Sequence, residues 1–155
     1  MMETDVRIEW LVLADAAEVV GGKLYMLGGG WERINVRTGF PFDHKMAVAV
    51  SVLVPWNRTN EKHALRLELV DEDGKVLVPI DGQFEIGRPP GAIQGQMQRV
   101  LVAFGIGFKI ERAGTYSING FIDGQHRGVT PFHVVQAPGT PAKKAPPPQP
   151  PAPGP

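Results

Sequence analysis

The sequence predicts an all-β domain, an antiparallel two-sheet β-sandwich of about eight strands, either jelly-roll or immunoglobulin-like. Three observations carry this prediction: apolar side chains recur at every second position, helical spacing is nearly absent, and turn residues separate the apolar runs at regular intervals. A period of two places successive side chains on opposite faces of a strand. Each run therefore has one face for a core and one face for the surface.

Three runs show this alternation most clearly, at residues 45–54, 63–70 and 100–110. In 100–110 every even position is apolar and large, whereas the odd positions are mostly small or polar. Weaker runs complete the set of predicted strands: 6–14, 23–36 with a break at three glycines, 76–86, 115–123 and 129–135. The segment that contains Tyr116 is also similar to the tyrosine corner of immunoglobulin-like domains, although a simple core aromatic residue would give the same pattern.

Turns predict which loops share an end of the domain. Residues 71–74 and 123–126 are predicted hairpin turns, because Asp and Gly tolerate positive φ angles. Consecutive antiparallel strands reverse direction, so alternate loops should gather together. One end, here called the loop-rich end, should collect residues 15–22, 55–61, 87–96 and 123–126, and the other should hold 37–43, 71–74 and 111–114.

Composition divides the chain into a folded domain at 1–137 and a tail at 138–155. About every second residue of the tail is proline, and it has almost no apolar side chain to bury, so we expect it to be disordered. With 16 Lys and Arg against 16 Asp and Glu, no charge excess favours nucleic acid or an anionic membrane, and both are predicted not to be partners. Zero cysteines fit a reducing cytoplasm, and no apolar run is long enough to span a bilayer, so the chain is expected to be soluble and not exported.

Several spaced blocks make the chain similar to a known family. They include residues 13–17 and 22–31, Pro55-Trp56 followed by Thr59-Asn60, and residues 87–91. Over roughly residues 6–135 the chain resembles a family of uncharacterised bacterial proteins, a domain of unknown function. The resemblance implies a small β domain of bacterial origin, and it implies no activity, ligand or catalytic residue.

Two candidate sites lie at the loop-rich end. A tryptophan beside amide and guanidinium groups can stack on a sugar ring or on an aromatic group of a partner. The candidate ligand-binding residues are Trp56, Asn57, Arg58, Arg88, Asp123 and His126. The alternative, which we favour for Trp56, is that its ring folds back to cap the core. A second constellation could hold a divalent metal, although ordinary surface histidines are the simpler interpretation; it comprises Asp15, Glu61, His63, Asp123 and His126.

No pattern of nucleophile and base and no close pair of histidines indicates catalysis or a metal centre, and no cofactor motif is present. We therefore predict a non-catalytic binding or assembly module whose ligand is unknown. Its contact surface would be the loop-rich end or an exposed sheet edge. Two alternatives remain open: a metal-dependent or carbohydrate-active enzyme, and a structural subunit of a homo-oligomer, which would bury the outer face of the 100–110 strand or an edge strand. A protein partner or self-association fits the first prediction and the homo-oligomer.

Overall fold

The computed structural model describes residues 5–138 and 151–154, and within them it contains no α-helix. Nine strands are present in this part of the chain. They are β1 (Arg7–Val20), β2 (Lys23–Gly29), β3 (Arg33–Val36), β4 (Phe42–Val54), β5 (His63–Val70), β6 (Val76–Phe84), β7 (Gln98–Ile110), β8 (Gly114–Ile122) and β9 (Gln125–Gln136). One 3-10 turn, Trp56–Arg58, follows β4.

The strands form two sheets, which confirms the predicted all-β fold class. The four-stranded sheet has the order β2-β1-β4-β7 and is antiparallel throughout. The five-stranded sheet has the order β3-β9-β8-β5-β6, and its one parallel pair is β3 with β9. The two sheets face each other across a single core that contains buried side chains from both.

Alternation along the strands builds this core. Val48, Val50 and Val52 of β4 are fully buried, and they share the core with Leu67 of β5 and Phe132 of β9. Burying one such side chain stabilises the fold by about 1.5–3 kcal/mol. The even positions of β4 therefore fix the register of the sheet, because a slip by one residue would move every valine to the outer face.

Both predicted hairpin turns are present. Ile122 pairs with Gln125, so Asp123 and Gly124 form a two-residue turn, and their φ angles of 49° and 80° are the positive values that such a turn requires. In the turn after β5, the Asp71 carboxylate accepts hydrogen bonds from the backbone N–H groups of Asp73 and Lys75. Short polar side chains thus close both connections.

The predicted arrangement of loops is correct except at one place. The loops 55–61, 87–96 and 123–126 gather at one end, as expected, since Phe84 pairs with His63 and Gln98 pairs with Val54. Residues 15–22 do not belong there. Arg7 pairs with Leu53, so β1 begins at the loop-rich end and then leads away from it. The strand continues to Val20, six residues beyond the predicted boundary of 14.

Most of the predicted proline-rich tail, 139–150 and 155, lies outside the described residues, so its disorder and the domain boundary stay predictions. Within the described part of the chain, no helix has the length and apolar character needed to cross a membrane.

Candidate functional site

A buried histidine lies at the centre of the loop-rich end. His63 opens β5 and is only 1% exposed. Its Nδ1 lies 2.8 Å from Asp123 Oδ2, its Nε2 lies 2.9 Å from the Arg58 carbonyl oxygen, and its ring stacks on Phe84. Both neighbours of the ring are acceptors, so the imidazolium form can donate to both, whereas a neutral ring can donate to only one. The ring therefore ties the loop at 55–61 to the turn at Asp123.

Asp123 connects the same turn to β5. Its Oδ1 accepts a hydrogen bond of 2.9 Å from the backbone N–H of Ala64. Burial acts to raise the pKa of Asp123, but the hydrogen bonds from His63 and Ala64, with the charges of His63 and Arg58, outweigh burial and hold the pKa below its usual value. The carboxylate is thus kept ionised by groups that belong to the fold itself.

Two arginines complete a polar cluster around this turn. Arg58 Nη1 lies 2.8 Å from Asp5 Oδ1, its Nε lies 2.9 Å from Glu61 Oε2, and its Nη2 lies 3.6 Å from Asp123 Oδ2. The hydrogen bond to Glu61 is the largest cause that raises the pKa of Arg58. Arg127 donates to the second oxygen of Asp5. Asp5 and Arg127 were not foreseen, because Arg127 occupies the irregular register between β8 and β9, and no pattern marks Asp5.

Trp56 and Arg88 form a second internal contact at this end. The Arg88 guanidinium lies 4.1 Å from the centroid of the Trp56 ring. Its Nε donates to Thr59 Oγ1 at 2.8 Å and its Nη2 donates to the Trp56 carbonyl oxygen at 2.9 Å. Such a cation–π contact covers one face of the indole, the position that a sugar ring would take on a stacking platform. Arg88 therefore holds the loop at 87–96 against the 3-10 turn.

The six candidate ligand-binding residues are only partly brought together. Trp56, Asn57, Arg58, Arg88 and Asp123 lie at the loop-rich end, as predicted, and Asn57 is exposed there. The exposed His126 lies on the outer face of the five-stranded sheet, where its Nε2 is 2.8 Å from Asn119 Oδ1 and its ring meets the edge of Phe121. Ligand binding by these residues stays a prediction.

The second constellation is divided between the two sheets. Glu61, His63 and Asp123 are joined through Arg58, but Asp15 lies in the second half of β1 beside Gly28. A Cβ at Gly28 would fall 2.3 Å from Asp15 Oδ2, so any other residue would have to displace the Asp15 carboxylate and also adopt a φ of 58°. In the described ranges 5–138 and 151–154, no group of three or more His, Asp or Glu side chains could hold a metal ion.

A different surface stands out once the pairing is known. Residues 16–20 of β1 pair with β2 alone, so residues 16–27 form a two-stranded ribbon, here called the hairpin arm. Four large apolar side chains are exposed on it: Val20 at 52%, Tyr25 at 58%, Met26 at 40% and Leu27 at 73%. Tyr25, Met26 and Leu27 also line a groove of about 460 Å³ together with Ala16, Ala17 and Glu18. Alternation places Val20, Tyr25 and Leu27 on one face of the arm and Met26 on the other, so three of the four lie together on one face. Single exposed apolar residues are common, whereas a contiguous patch marks an interaction surface.

The arm adjoins an apolar outer face of the four-stranded sheet. Alternation and pairing place on that face eight side chains, among others, of which Ala14, Ala47, Ala49 and Ser51 are at most 3% exposed and the other four are half-buried: Trp10, Val12, Ala14, Ala47, Ala49, Ser51, Leu101 and Ala103. Seven of them are apolar, and the polar one, Ser51, donates a hydrogen bond of 2.6 Å to Glu9 Oε2.

An ion pair closes this face on the side of the loop-rich end. Arg99 holds the same Glu9 carboxylate with two bonds of 2.7 Å. The hydrogen bonds from Arg99 and then Ser51 lower the pKa of Glu9 to about 2.

Comparisons with known proteins give a family and one distant structural likeness. The model of a family of unknown function, DUF6941, matches residues 9–135, and it points to no catalytic activity. No curated protein matches the chain. Among solved structures, the Pseudomonas fluorescens alkylpurine DNA glycosylase AlkC, bound to DNA containing an abasic site analog, is similar with a TM-score of 0.45 and 14% identity. The match covers 88% of this chain and 32% of that one.

The structural likeness corrects one prediction. Nucleic acid was excluded as a partner on the balanced charge of the sequence, yet the matched structure is that of a DNA-bound protein. Net charge is a poor ground for such an exclusion, because it averages over the whole surface and hides any local cluster of cations. A likeness at this level transfers no DNA binding to the present chain.

Proposed function

The chain belongs to this family of unknown function, which supplies no activity to transfer, and we propose that it is a non-catalytic module for protein binding and assembly. Its contact surface is the hairpin arm together with the adjoining outer face of the four-stranded sheet. The observation that carries the proposal is the exposure of Val20, Tyr25, Met26 and Leu27 on a ribbon of only two strands.

Burial of apolar surface favours a partner that covers the hairpin arm. A two-stranded hairpin is at best marginally stable in water, because it lacks a third strand or a packed face. Covering the exposed half of one large apolar side chain contributes on the order of 1 kcal/mol. Four such side chains on one ribbon therefore give a partner several kcal/mol of apolar burial before any hydrogen bond is counted.

The loop-rich end offers a partner much less. The described side chains of Arg58, His63, Arg88 and Asp123 are each engaged with other groups of the chain. A ligand at these groups would first have to displace contacts that hold the loops in place. The enzyme alternative draws no support from this geometry, since Asp15 and His126 lie apart from the other residues that it needs.

We also propose that the two sheets form an immunoglobulin-like sandwich. Tyr116 is buried, and its hydroxyl donates a hydrogen bond of 2.7 Å to the carbonyl oxygen of Arg112, four residues earlier. This is the contact that defines a tyrosine corner, and it favours an immunoglobulin-like sandwich over a jelly roll.

The cysteine-free composition supports a cytoplasmic location, and the family resemblance supports a bacterial origin.

Site-specific photocrosslinking in living cells tests the proposed contact surface. A benzophenone amino acid replaces Leu27 on the arm or, as the control, His126 on the outer face of the other sheet. We expect a discrete adduct with another polypeptide chain from position 27, no adduct from position 126, and loss of the adduct when Tyr25→Asp is added. Equal labelling from both positions, or none from 27, would overturn the proposal.

A further inference from the structure

We propose that the partner of the hairpin arm is a second copy of this chain, and that β2 of each copy pairs antiparallel with the other about a twofold axis at Tyr25. The inference rests on the proposed function and specifies its partner. It follows from three features of β2: an unpaired backbone edge, a central segment without edge protection, and a sequence that complements itself.

β2 has a free edge, because it pairs with β1 on one side and is terminal in the order of its sheet. A terminal strand presents unpaired N–H and C=O groups, which form a template for another strand. Proteins protect such edges with proline, charge, glycine-rich irregularity or short length. The other three terminal strands show these devices: β3 has only four residues, β6 contains Pro79 and Asp81, and β7 carries Arg99, Gly105, Gly107 and Lys109.

β2 carries such devices only at its ends, where Lys23 begins it and Gly28 and Gly29 close it. Between Lys23 and Gly28 its residues are Leu24, Tyr25, Met26 and Leu27, with neither charge nor proline. Gly28 has a φ of 58°, which ends the regular extended backbone. The segment that can accept a new strand is therefore residues 23–27, and its centre is Tyr25.

Antiparallel pairing about Tyr25 makes this segment complement itself. Tyr25 faces Tyr25 of the second copy, Leu24 faces Met26, and Lys23 faces Leu27. Aromatic and aliphatic cross-strand pairs are stabilising, whereas like charges placed directly opposite are destabilising. The only charge in the segment meets an aliphatic side chain in this register, so no like charges oppose each other.

The pairing also builds an uninterrupted apolar row across both copies. Within one copy, Leu24 pairs with Val19 and Met26 pairs with Ala17, on one face of the arm. Adding the second copy gives a row of four apolar residues across the sheet: Val19 and Leu24 of one copy, followed by Met26 and Ala17 of the other. The twofold axis generates a second, equivalent row. A partner of unrelated sequence would have to supply the same apolar alternation on its own strand. A second copy supplies it by symmetry, and twofold dimers are the commonest closed assemblies.

Analytical ultracentrifugation of the full chain tests the dimer. We expect twice the chain mass for the natural protein, and the single chain mass for both Tyr25→Asp and Tyr25→Lys, because each variant places two like charges face to face at the axis. Mixing the two variants should restore the dimer, since Asp then faces Lys. Val129→Asp is the matched control, because Val129 is 55% exposed on β9 of the other sheet, and this variant should remain dimeric.

Single cysteines test the register, because the chain has no cysteine of its own. Tyr25→Cys should form an intermolecular disulfide on mild oxidation, since directly opposed residues lie within disulfide reach. Leu27→Cys should not, because the two thiols would be offset by four residues, about 13 Å along the strands. Efficient bridging at 27 and none at 25 would refute the register.

A natural chain that stays monomeric at every concentration would overturn the dimer. So would a dimer whose mass is unchanged by both charged variants. If the monomeric chain still forms adducts from position 27 in cells, the arm binds another protein and the proposed function survives without the dimer. If neither the dimer nor the adducts form, both proposals fail together.

Discussion

Replacing Asp123 shows whether the loop-rich end is a structural clasp. In Asp123→Ala, the Nδ1 of the nearly fully buried His63 loses its acceptor, and so does the backbone N–H of Ala64. An unsatisfied buried donor costs about 1–3 kcal/mol. Alanine must also adopt the φ of 49° at this position, at about 1 kcal/mol. We therefore expect a loss of about 2–4 kcal/mol in the free energy of unfolding.

Two further variants separate the causes of that loss. Asp123→Asn keeps an oxygen that accepts from Ala64 and tolerates the left-handed backbone, so it should cost only about 1 kcal/mol. Asp73→Ala is the control, because Asp73 also pairs with an arginine, Arg112 at 2.7 Å, but on an exposed turn. Exposed ion pairs contribute little, so the control should lose less than about 0.5 kcal/mol.

Urea unfolding at pH 7, followed by circular dichroism, measures all three variants on the full chain. The midpoints should shift in the order Asp73→Ala, Asp123→Asn, Asp123→Ala, with the slope m unchanged. If Asp123→Ala costs no more than the exposed control, the hydrogen bonds around His63 do not hold this end together. The loop-rich end would then again be a candidate for ligand binding, because its polar groups would be available at little cost.

Three other predictions concern titration and packing. The pKa of Asp123 is lowered in the folded protein, so its contribution to stability is present above the unfolded pKa of about 4 and is lost as the pH falls below that value. The variant Asp123→Asn should therefore show a smaller decrease of the urea midpoint at acid pH. Burial lowers the pKa of His44 despite the opposing charge of Asp15, so the free energy of unfolding should decline as the pH falls below about 6.5. If the urea midpoint of His44→Gln depends on pH between 7 and 5 as steeply as that of the natural protein, this expectation is wrong. Tyr116→Phe should lower the free energy of unfolding by about 1–2 kcal/mol, whereas the same change at the exposed Tyr25 should leave it within about 0.5 kcal/mol.

Sequence periodicity was a reliable guide wherever one face of a strand is buried. The runs at 45–54, 63–70 and 100–110 became β4, β5 and β7, because alternate side chains in each enter the core. The hairpin turns were also foreseen, since local residues dictate positive φ. The parallel pairing of β3 with β9 was not, because it joins segments about 100 residues apart and depends on neither local pattern nor turn.

The second half of β1 was missed for a physical reason. Within residues 15–20 no side chain is fully buried, and only Ala17 and Val19 are half-buried, so burial imposes only a weak period of two on them. Asp15, Ala16, Ala17 and Glu18 therefore read as a loop. The error displaced Asp15 to the loop-rich end, where it was grouped with Glu61 and His63 as a candidate metal ligand.

The same property, the exposure of the hairpin arm, explains why the second half of β1 was missed and why we propose the arm as the contact surface. Polar and aromatic side chains on loops are typical of ligand sites, but here several of them are engaged within the chain, as Arg88 is with Trp56 and His126 is with Asn119. Binding energy remains available where the chain leaves groups unsatisfied, and such groups include the free backbone edge of β2 and the exposed side chains of Tyr25 and Leu27. A strand that buries no side chain fully within its own domain gives only a weak periodic signal, and for that same reason it has a face and an edge to offer another chain.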